Sequence, residues 1–317
     1  MTSLKTAVDS ALHDCLRLLK RESILIIADL PRRDLASAFF EQARQVTEKT
    51  SLLIIPPILH HGQEPPPGAG AMMADADSVV LITSRSLSHT RSRRKASARG
   101  TRIVSLPAVT EDNLKRTLLG DYKNIMVRSR KLADIFTIGR KGMLCTEAGT
   151  KLSFSIVRMK GYADTGMTHT PGDFSNLPAG EASVAPVQGS SHGEIVVDGS
   201  FPGVGMVSEP VRMSVKDGFV SRISGQESAR MIRNLLRPFG HQGRNIAEIG
   251  VGTNENARLT GCTVEDEKTL GTVHVGLGNN CSFGGKVSVN CHFDAVLLHP
   301  TMIIDGTAIL KDGILQV

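Results

Sequence analysis

Short apolar runs alternate with segments of helical period along the first 138 residues. Leu4 to Leu19 places apolar residues at helical spacing, and Ser23-Ile24-Leu25-Ile26-Ile27-Ala28 follows as a continuous apolar run ending at Asp29. The pattern then predicts a helix from about Asp34 to Val46 and a strand over Leu52 to Ile55. Buried strands are expected at Ser78 to Ile82 and Arg102 to Ser105, with a helix-like segment, Ser88 to Arg99, between them. His60 to Gly70, which contains Pro65-Pro66-Pro67-Gly68, reads as a surface loop. Helical patterns at Glu111 to Leu118 and Ile125 to Ile135 close the region. This alternation implies an α/β domain with a parallel sheet joined by right-handed crossovers, spanning residues 1–138.

Beyond Gly139 the period changes. Strand-like runs recur at short intervals, separated by Asp198-Gly199, Asp217-Gly218, Asp305-Gly306 and Asp312-Gly313, dipeptides suited to hairpin turns. Thr301 to Leu315 is predicted as a β-meander, and one helix, Glu227 to Leu236, stops before Pro238. Residues 139–317 are therefore expected to form a largely antiparallel α+β domain.

Within that second half, ionisable residues sit inside runs that otherwise read as buried strand. Ala247-Glu248-Ile249-Gly250, Val273-His274-Val275-Gly276 and His292-Phe293-Asp294-Ala295 set acids and imidazoles among aliphatic and glycine neighbours. A buried carboxylate is costly unless something compensates it. His292 and Asp294, two apart on a strand, project to one face, with Phe293 on the other. Together with Glu181, which follows Asn176-Leu177-Pro178-Ala179-Gly180, they make a set of three carboxylates and two imidazoles. Oxygen and nitrogen donors of this kind favour Zn, Co, Mn, Mg or Fe(II) over a thiolate site.

Composition narrows the function further. With no Trp, two Tyr and ten Phe, the cores are aliphatic and the chain lacks stacking platforms for single-stranded nucleic acid. Residues 1–138 hold 21 Lys and Arg against 14 Asp and Glu, whereas the remainder holds 16 against 17, so the basic excess lies outside the half bearing the ligand-type residues. The basic run Arg91-Ser92-Arg93-Arg94-Lys95 is read as a solvated helix face rather than a nucleic-acid grip. Five cysteines without a CxxC pair suit reduced thiols and a cytoplasmic setting. Neither a signal peptide nor a membrane-spanning run is expected.

Several words of the sequence resemble the aminopeptidase T and aminopeptidase S metallopeptidases. They are residues 176–186, 247–254, Asn256 to Gly261, Glu265 to Lys268, 271–278 and His292-Phe293-Asp294, with Arg85 to Thr90 and Ala98 to Ile103 in the first half. The resemblance implies an N-terminal α/β domain, a C-terminal two-metal centre and a homodimer that releases N-terminal amino acids from peptides. Carried over by position, it makes Glu181, Glu248, His274, His292 and Asp294 the metal ligands. A metal-bound water would attack the scissile carbonyl, with a nearby glutamate handling the proton, Glu248 and Glu267 being the candidates, and Arg258 is a candidate for orienting a substrate carboxylate or a metal-bound acid. One departure stands out: where that family has a tyrosine seven residues after the histidine matching His274, this chain has Cys281.

The 2,5-dihydroxypyridine 5,6-dioxygenases, which look like relatives of the same family, supply a second expectation. His274, His292 and Asp294 alone form a two-histidine, one-carboxylate set of the kind that holds Fe(II) in ring-cleaving oxygenases, and His169 is then a candidate acid or base.

Overall fold

The computed structural model describes residues 3–88, 90–119 and 121–317; His89, part of the Arg85 to Thr90 word, lies outside the described residues. Two compact units are present: Met1–Lys123 with Asp164–Ala179, and Asn124–Ala163 with Gly180–Val317.

The first unit is built on a parallel five-stranded sheet in the order Thr50–Ile55, Ile24–Asp29, Ser78–Ile82, Arg102–Ser105 and Phe174–Asn176. Helices Arg33–Val46, Pro67–Asp75, Arg91–Ala98 and Glu111–Thr117 connect or flank these strands. Helix Pro67–Asp75 starts inside the stretch expected to be a loop, with proline at its first turn, where a missing N–H costs nothing. The apolar runs are buried on both faces, as a parallel sheet requires. Arg102, within the Ala98 to Ile103 word, is a structural residue: its guanidinium donates to Glu22 at 2.6 Å, to Ser78 at 2.8 Å and to the Leu16 and Thr168 carbonyls.

The chain passes between units three times rather than once near residue 139. Strand Phe174–Asn176 returns to the parallel sheet after the antiparallel part has begun, and three residues are too few to announce themselves by period. Helix Tyr122–Ile138 falls largely with the second unit because Leu132, Ala133 and Phe136 join the apolar core there.

In the second unit an eight-stranded antiparallel sheet is ordered Phe219–Ser224, Val211–Lys216, His192–Val197, Lys151–Ser155, Lys141–Cys145, Thr301–Ile304, Thr307–Lys311 and Ile314–Leu315. A five-stranded sheet is ordered His292–Leu297, Val273–Gly278, Ile246–Gly252, Glu181–Val184 and Tyr162–Asp164. One core joins them: Leu144, Leu152, Ile195 and Met213 from the larger sheet with Val184, Ile249, Val275 and Leu297 from the smaller. Helix Glu227–Leu236 adds Ala229, Ile232 and Leu236 to it. The paired positive φ angles at Asp217-Gly218, Asp305-Gly306 and Asp312-Gly313 are those of hairpin turns. Asp198-Gly199 is not such a turn. Gly199 lies against the main chain at Val296, its N–H donating to the Val296 carbonyl at 3.1 Å, and a Cβ would come within 2.7 Å of that oxygen. Among the described residues no helix is long and apolar enough to cross a membrane.

Candidate metal centre

The strands of the smaller sheet present two faces. Ala182, Val184, Ile249, Val251, Val273, Val275, Leu277, Ala295 and Leu297 point into the core. Period-2 alternation puts Glu181, Glu248, His274, His292 and Asp294 on the opposite face. A register shift between Ile246 and Glu248 adjusts the start of the central strand.

Each of the five is cross-strand partner to a glycine. Glu181 pairs with Gly252, Glu248 with Gly276, His274 with Gly250, Asp294 with Gly276 and His292 with Gly278. The reason is space. A Cβ on Gly250 would lie 2.0 Å from His274 Nε2. On Gly276 it would lie 2.8 Å from the Glu248 Cβ, 2.9 Å from His292 Nε2 and 3.0 Å from Asp294 Oδ1. Glycine in a strand interior weakens the strand, and here it leaves a concave floor under converging side chains.

The five residues form one chain of contacts. Glu181 Oε2 is 3.3 Å from His274 Nε2, which is 3.9 Å from Glu248 Oε1. Glu248 Oε2 lies 3.0 Å from His292 Nε2, which is 3.1 Å from Asp294 Oδ1. The tightest group is Glu248, His292 and Asp294, whose donor atoms all lie within 4.8 Å of one another. This differs from the two-histidine set expected for the oxygenase reading. Glu248 stands beside His292 and Asp294, while His274 contacts Glu181 and Glu248.

These residues fit a divalent cation. His292 Nδ1 donates to the Asn279 carbonyl at 2.8 Å, which leaves Nε2 as the coordinating nitrogen facing the carboxylates. Glu181 Oε2 is buried without a hydrogen-bond partner. The space over Gly276 is bounded by the donor atoms themselves.

Protons partly stand in for positive charge. Burial alone would discharge His292, but Asp294 and Glu248 overcome it and hold the imidazole protonated well above its usual range. Burial likewise opposes the charged form of His274, yet Glu248, Glu181 and Asp294 raise it to about 9. Burial would raise the Glu248 and Asp294 carboxyls; the neighbouring imidazoles outweigh it and hold both below the usual carboxylate range.

Lys268 was not singled out from sequence. Its ammonium is almost fully buried and bridges Glu181 Oε1 at 2.7 Å and Glu267 Oε1 at 2.8 Å. Glu267 is pushed up to about 8 by burial, with Lys268 opposing and Asp294 and Glu181 reinforcing the shift. Asn279 was also missed; its carbonyl orients His292 while its side-chain amide donates to the Val289 carbonyl at 3.1 Å. The readable signal for it was Asn279-Asn280 directly after the strand bearing His274.

Other candidates stand elsewhere. The Arg258 side chain is exposed, and its backbone N–H donates to Glu265 at 3.0 Å. His169 belongs to the first unit, where its Nε2 lies 2.7 Å from the Asp14 carbonyl. Cys281 is exposed with its thiol 3.4 Å from the Val287 carbonyl, outside the Glu248, His292 and Asp294 group.

A sequence profile described as 2,5-dihydroxypyridine 5,6-dioxygenase matches residues 12–317. The chain belongs to the 2,5-dihydroxypyridine 5,6-dioxygenase family. Its fold is similar to that of the 2,5-dihydroxypyridine dioxygenase from Pseudomonas putida KT2440, with a TM-score of 0.84 at 20% identity over 98% of this chain and 96% of that one. It is also similar to wild-type AmpT from Thermus thermophilus, with a TM-score of 0.67 at 15% identity over 99% of each chain. At such identities the likeness is one of fold. No curated protein sequence matches the chain. Membership of this family supports the oxygenase expectation better than the hydrolase.

Proposed function

We propose that the protein is a non-haem Fe(II) dioxygenase that opens a dihydroxylated pyridine ring. The observation that carries this reading is the family match over residues 12–317; the cluster of Glu248, His292 and Asp294 supports it with donors suited to one ferrous ion. Fe(II) bound there would supply the electron transfer that lets dioxygen react with an electron-rich ring.

The chain's own residues do the rest. Glu248, His292 and Asp294 hold the ion, and the Asn279 carbonyl keeps the His292 ring in the tautomer that ligates through Nε2. Gly276 and Gly250 keep the floor open. Lys268 holds Glu181 and Glu267 in place and neutralises charge beside the ion, so this part of the site needs no second metal for its electrostatic balance. Glu267, whose carboxyl burial pushes up to about 8, carries a proton close to neutral pH for transfer to or from substrate oxygen.

The aminopeptidase-type reading is the alternative. It draws support from the AmpT-like fold and from the contact of Glu181 and His274 with Glu248, which extends the donor set toward a second ion. Parallel assays separate the two. Fe(II)-reconstituted protein should consume dioxygen and remove the ring absorbance of 2,5-dihydroxypyridine while leaving aminoacyl amides intact. Amino-acid release with Zn or Co, and no oxygen uptake with Fe(II), would overturn the dioxygenase in favour of the hydrolase.

A further inference from the structure

Helix Glu227–Leu236 ends in two successive tight turns, Arg237–Phe239 and Gln242–Arg244, with Gly240 between them. Gly240 has φ 57° and ψ −144°, a backbone region that L residues avoid, so the reversal is written into the sequence by glycine. The turns surround a cavity of about 480 Å³ lined by Arg233, Arg237, His241 and Arg244 together with Asn234, Leu236 and Gly240. Its lining contains no acidic residue. Among the described residues no carboxylate forms a salt bridge with any of the three arginines, although residues 139–317 as a whole carry slightly more acid than base.

The lining is held in place from behind. One Arg233 nitrogen donates to the Ile223 carbonyl at 3.0 Å. The His241 ring stacks on Phe219 with centroids 4.0 Å apart. Phe239 packs edge-on against Phe293, which points away from His292 and Asp294, so the turns lie behind the strand rather than over the metal donors. Three like charges gathered at one concavity repel one another, and without a counter-ion that arrangement is unfavourable.

We propose that this cavity is a binding site for a small oxyanion carrying two or more negative charges, a phosphate-type or polycarboxylate ligand, separate from the metal centre. Guanidinium groups present planar forks matched to phosphate and carboxylate oxygens, and the cavity is large enough for an anion bigger than a single phosphate.

The test is calorimetric titration of the full-length, metal-loaded protein with inorganic pyrophosphate and, separately, citrate, at matched ionic strength. Saturable binding of either is expected at millimolar concentration or below, and which one binds distinguishes the two ligand types. R237A and R244A should each weaken it by about tenfold or more, the loss expected for one charge-assisted bidentate contact. R237K should lose less than R237A. Oxygen uptake by the variants should remain, since neither residue belongs to the metal site. Absence of binding by wild type would overturn the proposal. So would binding that persists in R237A/R244A but disappears when the metal is removed, because it would put the anion on the ion instead.

Discussion

At the residue scale the site is decided as much by what is missing as by what is present. Five ionisable side chains face four glycines on adjoining strands, with Gly276 serving both Glu248 and Asp294. Gly276→Ala should lower affinity for Fe(II) or Mn(II) by about 100-fold, the upper range for disturbing the surroundings of metal ligands. Metal titration with circular dichroism as the control measures this, and unaltered affinity would mean the glycine is not there for the ion. Lys268 makes a different kind of prediction. Replacing it with Met leaves Glu181 and Glu267 without their shared counter-charge, which should destabilise the metal-free protein by about 3 kcal/mol. Denaturant unfolding reads the change, and an unmoved midpoint would contradict the role assigned to the ammonium. The ligand-type residues were legible in the sequence because acids and imidazoles stand out inside aliphatic runs. Lys268 was not, because a lysine after Glu265-Asp266-Glu267 reads as one more surface charge until its burial is seen. Arg258 is exposed, and nothing local in a sequence distinguishes an exposed arginine from a substrate-orienting one.

At the element scale, glycines divide by purpose. Those in strands Ile246–Gly252 and Val273–Gly278 make room, whereas Gly306 has φ 84° in a hairpin and open space where a Cβ would go. Gly306→Ala should therefore cost about 1 kcal/mol of stability through backbone strain alone and leave metal affinity untouched. Comparing it with Gly276→Ala by thermal melts and metal titration separates the two uses; loss of metal from the Gly306 variant would argue against the division. Most elements could be placed from periodicity, because buried parallel strands and amphipathic helices carry strong patterns. The exceptions have physical causes. Strand Phe174–Asn176 is too short for a pattern, and helix Pro67–Asp75 begins at a proline that otherwise reads as loop. Asp198-Gly199 carries a turn dipeptide that is used for close main-chain approach.

At the scale of the whole molecule, the charge network ties stability to pH. His274 is raised from its ordinary 6.5 to about 9, so its stabilising contribution to the metal-free protein is complete below pH 6.5 and is lost as pH rises through 9. Glu267, raised from 4.5 to about 8, acts in the same direction, because burial of its charged form costs more as it ionises. The melting temperature of metal-free protein should therefore fall between pH 6.5 and 9. Bound metal should flatten that fall, since a cation replaces the protons on the imidazoles, and metal affinity should rise with pH over the same interval. A melting temperature of metal-free protein that climbs across this range would contradict the assignment.

The division of labour within the chain could be read only in part. A single change of period near Gly139 marks where antiparallel strands begin, but the return of residues 164–179 to the first unit is long-range and leaves no local trace. What the second unit does rests on the convergence of four strands. Iron content per chain after Fe(II) reconstitution, measured in the wild type and in His292→Ala with matched circular dichroism, tests that convergence most directly. One iron per wild-type chain and none in the variant is the predicted result; full iron in the variant, or none in the wild type, would contradict it.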